Sequence, residues 1–146
     1  MRTLARFLAL SGADRRLLLR ALAALLIVRV ALSLVSVERL RLWAARTQTP
    51  GAPQPIERVA WAVSAVSRRL PGATCLVSAL ALQRLLSREG HPSALHIGVA
   101  RHGQAFAAHA WVEVEGRTLI GEVEDEYARL LAWRVEGRTD GSAGQV

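Results

Sequence analysis

The chain has no lysine and no asparagine, a single cysteine and few aromatic residues. Each scarcity removes a class of protein. One cysteine cannot close an internal disulfide, so the stapled scaffolds of oxidising compartments are excluded. No cluster of Cys and His carries the ligand spacing of a structural zinc site, and no metal or other cofactor is expected. Nor do aromatic residues interleave with the arginines, as a stacking platform for single strands would require. No nucleic-acid partner is therefore expected, despite a net charge of +7. Abundant Arg and Ala beside no Lys is the mark of a GC-rich coding bias, which weakens any reading of the high pI as nucleic-acid binding. Arg2 and Arg6 open the chain, but the apolar run behind them stops at Ser11-Gly12-Ala13-Asp14. That is too short for the apolar region of a signal peptide, so a cytoplasmic location is expected.

Long uninterrupted hydrophobic runs are also missing. Leu17 to Trp43 is apolar and holds neither Gly nor Pro, and helix is the only comfortable state for that length. Asp14 is the expected N-cap. Arg20 and Arg29 leave charge-free stretches of only eight residues each, Ala21–Val28 and Val30–Val37. A span needs about 20 mostly apolar residues, and a mid-span arginine costs about 2.5 kcal/mol or more. The segment is thus expected to pack on the core, dock a partner or contact a membrane surface peripherally.

Charge divides the chain in the same place. Residues 1–50 hold nine arginines against Asp14 and Glu38, a balance of +7, whereas residues 51–146 hold ten arginines and ten acids. We read an apolar, basic N-terminal helical arm over 1–49, a core over 50–134 and a flexible, Gly-rich tail over 135–146.

Within that core, Thr47 to Pro55 holds three prolines and a glycine and reads as a linker. Ile56 to Leu70 predicts a helix whose stripe is Val59, Val63, Val66 and Leu70. Pro71-Gly72 ends it. A further helix runs from about Thr74 to Glu89, with Leu76, Leu80, Leu82, Leu85 and Leu86 inward and Gly90 behind it. Leu95–Ala100 reads as a strand, and Phe106–Val114 with Thr118–Val123 as a hairpin. Glu124–Trp133 is expected to form a short closing helix. The fold class is α+β: helices packed on a small antiparallel sheet.

Three residues can carry chemistry. Cys75 falls in the first turn of its helix, where unsatisfied backbone amides and the helix dipole favour a thiolate. The same amides can stabilise the oxyanion of a tetrahedral intermediate. His109 shares a strand face with Trp111 and Glu113, while Ala108, Ala110, Val112 and Val114 form the core face. With Glu115-Gly116 as a two-residue turn, Val114 faces Arg117. An unbulged ladder then sets Glu122 opposite His109, with Cβ atoms about 4.5–5.5 Å apart. A carboxylate there can fix the imidazole tautomer. Cysteine at a helix start, histidine on a strand and acid on the next strand make a thiol-protease or transamidase site. The plain alternatives are a small buried cysteine, a solvated histidine and an exposed hairpin carboxylate. His96, on the neighbouring strand, completes no metal set of the usual spacing.

Three runs carry a resemblance to a known family: Leu70-Pro71-Gly72-Ala73-Thr74-Cys75-Leu76, Leu95-His96-Ile97-Gly98-Val99, and His109-Ala110-Trp111-Val112-Glu113-Val114-Glu115-Gly116-Arg117. Their order and spacing are similar to those of the transglutaminase-like B proteins of lasso-peptide biosynthesis, across residues 15 to 123. The resemblance implies a papain-like/transglutaminase-like core and a leader peptidase. By it Cys75 is the nucleophile, His109 the general base and acid, and the third member falls at or near Glu122. The family usually has Asp in that role, so Asp125 is the substitute. It further implies three partners: the precursor peptide as substrate, an ATP-dependent lasso cyclase downstream, and a separate small leader-recognition protein, because residues 1–50 lack the strand content of the fused recognition domain. Two other functions stay open: a transamidase or acyltransferase with the same site, and a non-catalytic, membrane-associated maturation scaffold.

Overall fold

The computed structural model describes residues 7, 9–48, 52–102, 105–121 and 128–135. Among the described residues four helices come first: α1 (Gly12–Ala31), α2 (Val37–Ala44), α3 (Ile56–Ser67) and α4 (Cys75–Arg88). Four strands follow: β1 (Ser93–His102), β2 (Ala105–Val114), β3 (Arg117–Ile120) and β4 (Ala128–Val135). They form one sheet in the order β3-β2-β1-β4, with every neighbouring pair antiparallel. This is the α+β arrangement expected from the sequence.

The apolar N-terminal segment packs on the core, the first of its three alternatives. It is two helices and not one. α1 starts at Ser11, whose hydroxyl accepts from the Asp14 amide at 3.1 Å and donates to the Asp14 carboxylate at 2.8 Å. Asp14 is therefore a first-turn partner of the cap and not the cap itself. The chain turns after Ala31, and Ser36 caps α2 by accepting from the Arg39 amide at 3.4 Å. Leu17, Ala21, Ala24, Leu25 and Val28 of α1 are buried in the same cluster as Val59 and Val63 of α3 and Leu80, Leu82, Leu85 and Leu86 of α4. Ten of the fourteen residues of α4 are buried, which makes it the central helix of the layer.

Polar contacts fix the same packing. Glu89, at the end of α4, is buried and accepts from Arg20 of α1 at 2.5 Å and from the Gln54 amide at 2.8 Å. The Gln54 carbonyl meets His91 Nε2 at 2.7 Å, and the Gln48 amide donates to the Ser87 carbonyl at 2.9 Å. The proline-rich connection is thereby tied to the end of α4. Arg58 of α3 pairs with Asp14. Arg84 of α4 donates to the carbonyls of Trp43 and Arg46, at 3.2 and 3.0 Å, at the C-terminal end of α2. Burial lowers the Arg84 pKa from its ordinary value, and the nearby charges of Arg88 and Arg46 add to the effect.

Below the helices, Leu95 of β1 and Ala110, Val112 and Val114 of β2 join the helical core, with Ile97, Leu119 and Ile120 partly buried against it. The expected closing helix over 124–133 is replaced. Residues 128–135 form β4, which pairs with the free edge of β1, Leu131 opposite Ile97 and Val135 opposite Ser93. The backbone groups along the outer edge of β1 need partners, and pairing with residues 128–135 supplies them. Of the flexible tail expected over 135–146, Val135 instead closes β4 opposite Ser93; residues 136–146, like 122–127, lie outside the described residues.

Candidate active site

Cys75 is the first residue of α4. Thr74 is the N-cap, in extended conformation, and its hydroxyl accepts from the Val77 amide at 3.4 Å. The Ser78 amide bonds the Thr74 carbonyl at 3.0 Å. The amides of Cys75 and Leu76 precede the first helical acceptor and point out of the helix start, the geometry that favours an anion. Cys75 is half-buried, with its inner side against the core.

The approach to Cys75 is held from α1. Arg29 donates to the Pro71 carbonyl, and its guanidinium lies so close to Gly72 that a Cβ there would come within 2.9 Å of Cζ. The helix read as an arm thus supports the turn that delivers the cysteine.

His109 lies in β2 opposite Gly98 of β1. Its side chain is on the sheet face of Trp111, His96 and Glu113, opposite the face that Ala110, Val112 and Val114 turn to the helices. Among the described residues no hydrogen bond joins Cys75 to His109. His109 lies on the sheet face turned away from the helices, whereas Cys75 lies in the helical layer, so the described structure does not bring the two side chains together.

The sequence reading missed the network on that face. The Trp111 ring stacks on His96 at 5.3 Å between centroids and on His109 at 6.1 Å, with interplanar angles of 17° and 19°. Trp111 Nε1 donates to one oxygen of Glu113 at 3.0 Å, and His96 Nε2 is 3.2 Å from the other. Glu113 thus anchors Trp111, and Trp111 supports one side of His109. Extending the β1–β2 ladder from His102 opposite Ala105 sets His96 opposite Trp111, a signal present in the sequence.

The third member of the proposed triad is where the pairing argument fails. The turn is as expected: Glu115 and Gly116 both have positive φ, 50° and 76°, and Val114 faces Arg117. The ladder then bulges, because Glu113 faces Thr118 while Val112 faces Ile120, leaving Leu119 as an extra residue. The bulge lets two consecutive residues, Leu119 and Ile120, both pack against the core. An unbulged register setting Glu122 opposite His109 is therefore corrected. Glu122 and Asp125 themselves lie outside the described residues. What the structure does bring to His109 is Gly121: a Cβ built there would lie 3.1 Å from His109 Nε2. No group of three or more His, Cys, Asp or Glu placed to hold a metal ion occurs among the described residues.

Comparison with protein families matches residues 17–132 to the transglutaminase-like superfamily, from α1 through most of β4. The chain belongs to this superfamily. Neither the curated proteins nor the solved structures provide a match.

Proposed function

We propose that this member of the transglutaminase-like superfamily is a cysteine peptidase that removes the leader from a ribosomally made lasso-peptide precursor before macrolactam cyclisation. Superfamily membership suggests cysteine peptidase or transamidase-like chemistry. The observation that carries the peptidase reading is Cys75, the chain's one thiol, at the capped start of the central helix. The three sequence runs around Cys75, His96 and His109 supply the narrower substrate class.

In the proposed reaction Cys75 Sγ, as thiolate, attacks the carbonyl carbon of the peptide bond between leader and core. The tetrahedral oxyanion is held by amides at the start of α4. The C–N bond breaks, His109 gives a proton to the leaving amine, and the core peptide departs with a free N-terminus. The leader remains on Cys75 as a thioester. Water, deprotonated by His109, hydrolyses the thioester, which restores the thiol and releases a leader carboxylate. In this reading an acid of the segment after Gly121, Glu122 or Asp125, orients the imidazole. A separate small recognition protein presents the leader, and an ATP-dependent cyclase takes the freed core.

The transamidase alternative differs only in the last step, where an amine and not water accepts the acyl group. Product mass decides between them. Incubation with precursor and recognition protein is expected to yield a leader ending in a free carboxylate. A leader carrying an added amine would replace the peptidase assignment by acyl transfer, and full function of Cys75→Ala in maturation would favour the scaffold reading.

A further inference from the structure

The α1 helix is apolar on two sides, and only one of them is used by the fold. Leu17, Ala21, Ala24, Leu25 and Val28 face the core. Leu19, Leu26, Ile27 and Val30 lie on the opposite side, and Leu34 in the following turn continues the line, all between 42% and 76% exposed. At 100° per residue these positions fall within one stripe about 100° wide. Eight of the nine large hydrophobic side chains exposed among the described residues fall between Leu19 and Leu42. An apolar concentration of that kind marks an interaction surface.

Charge says what it meets. Both acids of this region are occupied, Asp14 by Arg58 and Glu38 by Arg41. Arg15 and Arg16 stand at the start of the stripe and Arg39 beyond its end, and none pairs with an acid among the described residues. A second copy laid on the stripe would set like charges against each other. A convex ridge of Leu, Ile and Val rimmed by arginine instead fits an interface between water and anionic lipid, where the arginines meet headgroups and the ridge enters the acyl boundary. No described helix is long and apolar enough to cross a membrane, so the contact is interfacial.

We propose that the outer face of α1, continued by Leu34, docks the protein on an anionic membrane surface. Because the docking face is opposite the packed face, docking leaves the fold and the α4 start undisturbed. The test is sedimentation of the full-length protein with vesicles of phosphatidylcholine alone and of phosphatidylcholine with a third phosphatidylglycerol. Binding is expected to the anionic vesicles and to fall with salt. Leu26→Ser with Val30→Ser should weaken it at least tenfold without lowering the melting temperature. Arg15→Gln with Arg16→Gln should weaken it about fivefold for each arginine removed. Absence of vesicle binding, equal binding to both vesicle types, or a dimer in analytical ultracentrifugation that the serine variant dissolves would each overturn the proposal. Failure here leaves the peptidase reading untouched, since product mass is measured without vesicles.

Discussion

Substitution of Gly121 by alanine tests the geometry beside His109, because the added methyl has nowhere to go. Gly121 has φ of +81°, a conformation that costs an L-residue about 1–2 kcal/mol. Its Cβ would also lie 2.8 Å from the Ala110 carbonyl oxygen and 2.9 Å from Trp111 Cβ. Both are fixed by the strand, so the end of β3 has to move away, and overpacking of this kind costs about 1–3 kcal/mol more. The combined loss is about 2–5 kcal/mol. At about 3 °C per kcal/mol for a domain of this size, the melting temperature falls by roughly 6–15 °C. Gly116 is the control: its φ is +76°, but nothing lies within 4 Å of its Cβ position. Gly116→Ala should therefore lose only the conformational part, roughly 3–6 °C. Calorimetry of the two variants measures the difference directly. The His109 resonances should move in Gly121→Ala and stay in Gly116→Ala, since only the first crowds Nε2. Equal melting temperatures and unshifted His109 signals would show that the chain after the bulge does not close against the histidine.

The remaining predictions concern the core and the triad. Leu25→Ala should cost about 2–5 kcal/mol, because α1 shares the buried cluster with α3 and α4. Removing residues 1–46 should accordingly unfold the protein, and a deletion variant with a normal melt would reassign α1 as dispensable packing. His109→Ala should slow alkylation of Cys75 by iodoacetamide at neutral pH, whereas unchanged kinetics from pH 5 to 9 would mean that the two side chains do not meet. Glu122→Gln and Asp125→Asn, measured in parallel, identify the orienting acid: the true one should leave a slow residual peptidase and the other full activity. If neither change slows cleavage, no carboxylate of this segment serves His109.

Features set by neighbouring residues were legible in the sequence. The start of α4 follows from Pro71-Gly72 and the Thr74 hydroxyl, which act within one turn. The hairpin turn follows from Glu115-Gly116 between alternating strands, and its two positive φ angles are what such a turn needs. The alternation of β2 separates His109 from Ala110 and Val112 by sequence position alone. What stayed hidden depends on distant partners. Residues 128–135 hold a Leu-Leu pair that suits a helix face equally well, and only the free edge of β1 makes them a strand. The bulge at Leu119 arises because two adjacent apolar residues both find the core, and strict alternation cannot express that. The break after Ala31 has no Gly or Pro to announce it; Ser36 as a new cap is its sole local sign. The role of Glu113 was hidden differently: it was assigned to a face, but its partners Trp111 and His96 appear only once β1 is set against β2.

The central claim is that Cys75 carries the acyl group, and intact mass of the enzyme during turnover tests it most directly. Rapid acid quenching of the wild-type protein with precursor and recognition protein should reveal an adduct equal to the leader less one water, mapped by peptide analysis to Cys75 and released by hydroxylamine. Cys75→Ala should show neither the adduct nor cleavage. Cleavage by Cys75→Ala at a single-turnover rate within tenfold of wild type, with no adduct on the wild-type enzyme, would contradict the account.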